Sequence, residues 1–405
     1  MIIITFMQHI AILGGGFAGV AAGISLTKHK IPNTKITLID RHSYHLFTPS
    51  LYEVATSESP TKNIAIPFKE IFDGKMEFIQ DIVTNIDTNK KIITINKKNK
   101  ISYDYLLITL GSESAFHHIE GLKENAISLK SLEEAVAIKD KIKLMCCKEG
   151  KCDKKVKVVI GGGGFSGTEL AEELLTYNDR LAKQHNLAKD CMDITIIQGS
   201  DRLLKELDSH VSDLAQERIN NPQVHFAFGG HIAKVTKNTI YTDNKKEYPF
   251  DIFIWTGGVT ANHIIKDSQI PVTPHNQIAV NNFLQAEQLE HVFAAGDVAQ
   301  FIDPKTQKAA PGVAQVAEEQ GAVAGENIYR MITKKPLVKY NYRHFGYIVP
   351  MKGRFASAEL MYGIHLDGFL GWVLQQLVFF RYMLGILPFW KAFKKWDTFE
   401  LQLKQ

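Results

Sequence analysis

Two glycine-rich turns, set roughly a domain apart, constrain this chain more than any other feature. His9 to Gly19 reads HIAILGGGFAG, and Val156 to Gly167 reads VKVVIGGGGFSG. Each leaves a short apolar strand and opens a helix of small residues, with the spacing GxGxxG at Gly14, Gly16 and Gly19 and again at Gly162, Gly164 and Gly167. In such a turn the first glycine permits the bend and the second lets the backbone approach a pyrophosphate. The third lets helix and strand pack closely, and the helix start offers unpaired N–H donors to the anion. Two copies, each between a strand and a helix, predict two dinucleotides on one α/β protein.

The residue closing the second strand of each unit tells the two apart, because an acidic side chain there accepts the ribose hydroxyl hydrogens of an adenosine. In the first unit that residue is Asp40, 21 residues after Gly19, which fits an FAD ligand. In the second it is Gln198, a neutral amide that bonds a ribose but repels a 2′-phosphate less. NADH and NADPH therefore both stay open for that unit.

Farther on, Glu290 to Ala299 reads EHVFAAGDVA, a strand that delivers Gly296 and Asp297 to a polyol hydroxyl near the first cofactor's pyrophosphate. Tyr103 to Gly111 (YDYLLITLG) and Asp251 to Gly258 (DIFIWTGG) have the pattern of strand ends that cross between two nucleotide units. The predicted fold class is thus α/β with two Rossmann-like domains, the FAD domain discontinuous and the nicotinamide domain inserted. The boundaries fall at 1–115 and 276–335 for the FAD parts, 116–275 for the insert and 336–405 for a C-terminal region.

The 405 residues, 45% hydrophobic, suffice for two or three cores of ordinary size. A formal charge of +4 from 47 basic and 43 acidic residues argues against a nucleic-acid footprint. Cys146, Cys147, Cys152 and Cys191 form no CxxC pair and no metal-ligand spacing, so they read as incidental thiols, the first three on a solvated Lys-rich connection. The N-terminal run MIIITFMQHI has no basic start or small-residue cleavage site, which predicts no export. His42, Tyr44 and His45 lack a carboxylate or cysteine at compatible spacing and are expected to pack or to flank the adenosine; no metal is assigned. Asn89–Lys100 and Thr236–Tyr248 read as surface hairpins, and Leu132–Leu144 has helical spacing.

The run Asp40 to Pro67, the turn GGGGFSGTELAEEL, WTGG, AAGDVA and Ala314 to Gly321 (AQVAEEQG) together resemble type II NADH:quinone oxidoreductases. The resemblance covers most of the chain. It implies FAD and NADH as cofactors, with NADPH as a possible donor, and hydride passing from NADH to flavin and two electrons onward to a membrane quinone without proton pumping. The cofactor positions it implies are Gly14, Gly16, Phe17, Ala18, Gly19, Asp40, Arg41, Thr109 and Gly111 in the first unit. Gly162, Gly164, Gly167, Gln198 and Gly257 serve in the second, with Gly296, Asp297, Ala314 and Gln315 near the flavin. Glu169 would meet the nicotinamide or relay protons, and Gln315 and Glu319 would serve the quinone, Glu319 standing where the family usually has glutamine. Glu172 and Glu173 read as a solvated face. A reductase of a soluble acceptor and a redox sensor like the apoptosis-inducing factors are the alternatives. Sulfide:quinone oxidoreductase is disfavoured because the second glycine turn and the run FGYIVPMKGRFASAE carry no cysteine.

The tail from Gly368 to Trp390 is long enough to span a bilayer, yet Gln375, Gln376, Arg381, Gly385 and Pro388 argue for two short interfacial helices instead. Beyond Pro388 the spacing sets Lys391, Lys394 and Lys395 opposite Phe389, Ala392, Phe393 and Trp396. The expectation is a lipid-surface segment over 363–400, a homodimer, and a peripheral protein on the cytoplasmic face of the cell membrane.

Overall fold

The computed structural model describes residues 7–56, 61–147, 155–185 and 191–402. Residues 1–6, and Cys152 with the connection around it, lie outside the described residues.

The chain first lays down β1 (Gln8–Leu13), β2 (Thr34–Asp40), β3 (Glu77–Gln80) and β4 (Tyr105–Ile108). It then builds a second sheet from β5 (Ile127–Ser128), β6 (Val156–Gly161), β7 (Met192–Gln198), β8 (Val224–Phe228) and β9 (Ile252–Trp255), and returns to the first with β10 (Val292–Ala294). The strand orders are β10-β4-β1-β2-β3 and β5-β9-β6-β7-β8, every pairing parallel. The glycine-turn strand is central in both. Ile10, Ala11, Ile12 and Leu13 are fully buried, the unbroken apolar run that a parallel strand covered on both faces requires.

The crossovers leaving β4 and β9 meet each other. Ser112–Ser114 pairs antiparallel with Val259–Ala261, which joins the two units at their strand ends. The two stretches read as hairpins are three-stranded antiparallel excursions, Val83–Asp87 with Ile92–Ile95 and Asn99–Ser102, and Ile232–Val235 with Thr239–Thr242 and Glu247–Pro249.

The helices that matter for the site are α1 (Phe17–Lys28), α2 (Leu51–Thr56), α3 (Leu132–Cys146), α4 (Phe165–His185) and α5 (Ala314–Ile332). The start of α3 is fixed by a reciprocal cap, Ser131 accepting from Glu134 N while the Glu134 carboxylate accepts from Ser131 N. Its last residue corrects the sequence reading: Cys146 is fully buried rather than part of a solvated connection, because α3 carries it inward beside Ile138 and Ile142.

A three-stranded antiparallel sheet, β11 (Gly346–Met351), β12 (Phe355–Leu360) and β13 (Ile364–Gly368), leads into α6 (Phe369–Ile386) and α7 (Phe389–Gln402). The expected break at Gly385 does not occur. That glycine sits inside the last turn of α6, and the chain leaves the helix only at Leu387, before Pro388. The proline disrupts the helix and the glycine merely weakens it, in line with their unequal helix penalties. The polar side chains of α6 also point differently from those of a helix immersed in lipid. Gln376 and Tyr382 are buried against the protein, while Phe369, Leu370, Leu377, Val378 and Leu384 are exposed. In α7, Ala392 is buried and Trp396 packs on the core, so the aromatics left outward are Phe389, Trp390 and Phe393. That divides the single aromatic face expected from the sequence in two.

Candidate active site

The two nucleotide turns are built from the same set of contacts. Gly14 adopts φ +95° and Gly162 φ +111°, left-handed values that a side chain would strain. A Cβ on Gly19 would lie 1.9 Å from Gly14 O, and one on Gly167 would lie 1.9 Å from Gly162 O. Thr109 Oγ1 donates to Leu13 O and Gly14 O, both at 2.8 Å, bracing the first turn from β4. Thr256 Oγ1 donates to Gly161 O and Gly162 O at 3.1 and 2.9 Å and does the same from β9. Sequence reading missed Thr256, whose signal was the shared threonine in ITLG and WTGG.

The second-strand residues hold their turns as well. Asp40 accepts from Gly15 N at 2.6 Å and from His42 N at 2.7 Å, and Gln198 Oε1 accepts from Gly163 N at 2.8 Å. Each carboxylate or amide oxygen keeps a second lone pair for a ribose hydroxyl. Arg41, next in the chain, is exposed at the rim.

Whether the turns fit a dinucleotide is decided at Gly16 and Gly164. A Cβ built on either meets nothing within 4 Å, and no side chain caps the start of α1. Backbone donors facing open space at a helix start are the cradle that a pyrophosphate needs. Phe17 and Ala18 follow as the first residues of α1, Ala18 buried and Phe17 half-buried.

Near the first turn, Asp297 and Gly296 lie in a single helical turn after β10. Gly296 N donates to Gln320 Oε1 at 2.9 Å, so α5 holds the turn in place. Ser112 Oγ donates to Asp297 Oδ2 at 2.5 Å, and Lys130 Nζ donates to Ser112 Oγ at 2.8 Å while lying 3.7 Å from Asp297 Oδ2. Ser112, Lys130 and Gln320 were not singled out in the sequence, since the partners they meet lie 185, 167 and 24 residues away in the chain. Helix α5 starts at Ala314, as AQVAEEQG predicts, and Gln315 Nε2 donates to Glu319 Oε1 at 3.0 Å, one turn on. The glutamate at 319 thus accepts the amide hydrogen of Gln315. Gly111 and Gly257 lie in the crossovers, Gly111 at φ +66° and Gly257 accepting from the His117 ring at 3.1 Å.

Glu169 sits one turn into α4 and lines a cavity with Tyr52, Glu53, Glu172 and Glu173, opposite Pro350, Met351, Gly353, Trp372, Gln375 and Gln376. Here the sequence reading is overturned. Glu172 is 2% exposed and Glu173 is half-buried, because α2 packs on α4 and the turn between β11 and β12 lays Lys352 N on Glu172 Oε2 at 2.6 Å. Burial, together with repulsion from Glu173, pushes the Glu53 carboxyl up to about 8. Burial raises Glu172 to about 7 against the pull of the Lys352 amide and Arg218. Burial and the charges of Glu53 and Glu172 hold Glu169 well above the ordinary range.

His45 is fully buried. Its Nδ1 lies 3.0 Å from Gly15 O and its Nε2 lies 2.7 Å from the Tyr382 hydroxyl. A carbonyl only accepts, so Nδ1 carries the hydrogen; burial lowers the ring's pKa to about 4, so it is neutral and Nε2 accepts from Tyr382. This is the packing role expected of the histidine, extended to a link between the first glycine turn and α6. Among the described residues, no group of three His, Cys, Asp or Glu side chains converges to hold a metal ion.

Two equivalent phosphate-binding turns on parallel sheets, joined at their strand ends, define a two-dinucleotide oxidoreductase scaffold. The chain belongs to the pyridine nucleotide-disulphide oxidoreductase family, whose model matches residues 8–321. It is 29% identical to a demethylphylloquinone reductase of Synechocystis sp. over 92% of this chain and 91% of that protein. It is 26% identical to a type II NADH:quinone oxidoreductase of Haemophilus influenzae over 87% of each. Its fold is similar to the structure of NDH2 from Plasmodium falciparum in complex with NADH, with TM-score 0.85, 19% identity, and coverage of 96% of this chain and 97% of that one.

Proposed function

We propose that the protein is an FAD-dependent NADH dehydrogenase that reduces a lipid quinone at a membrane surface without pumping protons. Relatives named as quinone reductases along nearly the whole chain support the acceptor. The observation that carries the reading is the pair of glycine turns of one geometry, one ending at a carboxylate and braced by α6, the other opening beside Glu169.

FAD, when bound, supplies the two-electron carrier that takes a hydride from NADH and releases electrons to the quinone. The chain's own residues position and polarise. The turn Gly14–Gly19 and the first turn of α1 offer N–H donors to the pyrophosphate, Asp40 takes the adenosine ribose with Arg41 at the rim, and Asp297, held by Ser112 and Lys130, takes a polyol hydroxyl. The backbone N–H groups at Ala314 and Gln315, at the start of α5, would be donors to a bound flavin ring. Gly162, Gly164 and Gly167 with Gln198 receive NADH, NADPH being the weaker candidate, and Glu169 meets the nicotinamide end. Gln315, oriented by Glu319, faces the quinone.

The outward apolar side of α6 and the aromatics of α7 suit a lipid surface, and Lys391 suits anionic headgroups. The described part of 363–400 is therefore the proposed anchor of a peripheral protein on the cytoplasmic face, and a homodimer is the proposed assembly. The division at residues 115, 275 and 335 is kept as the proposed domain plan.

Steady-state oxidation of NADH and NADPH with a short-chain ubiquinone, a menaquinone analogue and ferricyanide tests the reading. Quinone reduction with NADH preferred is the expected result. Ferricyanide reduction with neither quinone accepted would make the protein a reductase of a soluble acceptor.

A further inference from the structure

We propose that Tyr347 forms one wall of the second nucleotide seat, with its hydroxyl placed to take the nicotinamide-side ribose of NADH. The inference deepens the NADH reading, rests on it, and adds a substrate-binding residue from the C-terminal sheet.

The C-terminal region lends one tyrosine to each glycine turn. Phe17 and Phe165 occupy equivalent places, each the first residue of the helix that leaves its turn. The Phe17 ring meets Tyr382 of α6 with centroids 5.0 Å apart at 45°, and the Phe165 ring meets Tyr347 of β11 at 5.7 Å and 45°. The two hydroxyls are used differently. Tyr382 is buried and spends its hydroxyl on His45 at 2.7 Å, whereas Tyr347 is half-buried near the start of β11 and stays open to a ligand. Strand β11 lies along α4. Met351 lines the cavity with Glu169, and Tyr347, on the same face of the strand, reaches Phe165, one helical turn before Glu169.

The neighbours of Tyr347 hold its ring and select what its hydroxyl takes. His344 lies 4.9 Å from it at 58°, and His344 Nδ1 is itself 3.2 Å from the Tyr342 hydroxyl. Glu359, its partner across β12, and Glu206 face it with their charges. Glu206 belongs to the loop after β7, where Leu204 N donates to Gly163 O at 2.8 Å, so this loop is tied to the second turn itself. Burial and these two carboxylates raise the Tyr347 phenol above its ordinary value, so it keeps its hydrogen. Glu206 and Glu359 would repel a phosphate, while a ribose presents hydroxyls that donate to carboxylates and exchange hydrogen bonds with a phenol. Gln198 stands at the adenosine end of the seat and Glu169 at the nicotinamide end, which leaves the second ribose for Tyr347.

The test uses the full-length holoenzyme with ferricyanide as acceptor, so that the identity of the quinone does not enter. NADH is the substrate, and two of its fragments serve as competitive inhibitors: ADP-ribose, which carries the second ribose, and AMP, which ends at the first phosphate. Tyr347→Ala is expected to raise the Michaelis constant for NADH and the inhibition constant of ADP-ribose about tenfold, with kcat within about twofold and the AMP constant unchanged. Tyr347→Phe keeps the wall and loses the hydroxyl, and should show a rise of about threefold in the same two constants. Flavin content and thermal midpoint are measured on both variants. Should Tyr347→Ala lose flavin, Tyr347→Phe carries the same comparison. Equal weakening of AMP and ADP-ribose, a fall in kcat at an unchanged Michaelis constant, or unchanged constants in both variants overturns the assignment of Tyr347. A wild type that oxidises no NADH overturns the parent reading, and the assignment with it.

Discussion

Around Gly14 and around Gly162 the chain builds the same turn, with a left-handed glycine, a threonine bracing two carbonyls, and a side-chain acceptor on the middle glycine N–H. What surrounds the two turns differs. Helix α1 packs along α5, and the carbonyl of Gly15 is tied through His45 to Tyr382 of α6. Helix α4 instead turns three glutamates toward a cavity, and its second-strand acceptor is an uncharged amide. One turn is charge-assisted and tied to α6, the firmer hold that suits a resident cofactor. Its copy is held by a neutral amide and opens beside carboxylates, the weaker hold that suits an exchanging substrate.

The contrast breaks most visibly at the third glycines. An added methyl would meet a carbonyl oxygen at 1.9 Å in either unit. Gly19→Ala is expected to yield colourless protein. Gly167→Ala should keep its flavin and raise the Michaelis constant for NADH about 100-fold, roughly 3 kcal/mol of binding. Flavin absorbance and NADH kinetics on both variants decide; flavin lost from both, or from neither, would erase the division between resident and visitor.

A smaller effect is expected at the second-strand acceptors. Asp40→Ala removes hydrogen bonds to a carboxylate, each worth about 1.5–3 kcal/mol, and should weaken flavin retention about 10- to 100-fold. Gln198→Ala removes a neutral one of about 0.5–1.5 kcal/mol and should raise the Michaelis constant for NADH at most about tenfold. Fluorescence of released flavin and initial rates give the two numbers.

These turns were legible in the sequence because each is local: six consecutive residues carry the bend, the anion cradle and the helix start. Asp40 and Gln198 were legible for the same reason, lying at a fixed strand end. The carboxylates of α4 were not. ELAEEL has the composition of a solvated helix, and what buries Glu172 is Lys352 N, 180 residues later. Lys130 beside Asp297 and Tyr382 on His45 were likewise settled by contacts distant in the chain, which no local pattern announces. The tail was half legible. Its apolar length could be read, but the side facing protein depends on where β11 to β13 deliver α6.

The two units should also lose stability at opposite ends of the pH scale. The neutral His45 ring has a folded value of about 4, below its ordinary 6.5, so the unfolded chain takes the proton first. Its contribution is complete above about pH 6.5 and is lost as pH falls toward about 4. Glu172 has a folded value of about 7, above its ordinary 4.5, so the folded chain keeps a proton that the unfolded chain gives up. That contribution is complete below about pH 4.5 and is lost as pH rises through about 7. Glu172→Gln should therefore raise the thermal midpoint by about 2 °C at pH 8 and leave it unchanged at pH 4.5. Tyr382→Phe, which leaves His45 Nε2 without its donor, should lower the midpoint at every pH, with a cost of about 1–3 kcal/mol. Scanning calorimetry across pH reads both.

The smallest effect is expected where α6 meets α5 at the surface. Arg381 Nη2 donates to Glu318 Oε2 at 2.8 Å, with Nη1 at 3.4 Å from Oε1, and the arginine side chain is 60% exposed. Water screens a pair this open, so Arg381→Ala should cost only about 0.2–1 kcal/mol in detergent-free buffer. If the outer side of α6 rests on lipid, the same guanidinium lies near the headgroups, where a cation contributes about 1 kcal/mol to binding an anionic surface. Flotation with vesicles containing anionic lipid should then show a loss of roughly fivefold in bound protein at low salt that disappears at high salt, while neutral vesicles show no change. Equal loss from both kinds of vesicle would mean that Arg381 acts by docking α6 onto α5 and never meets the headgroups, moving the lipid contact to Phe389, Trp390 and Phe393 of α7.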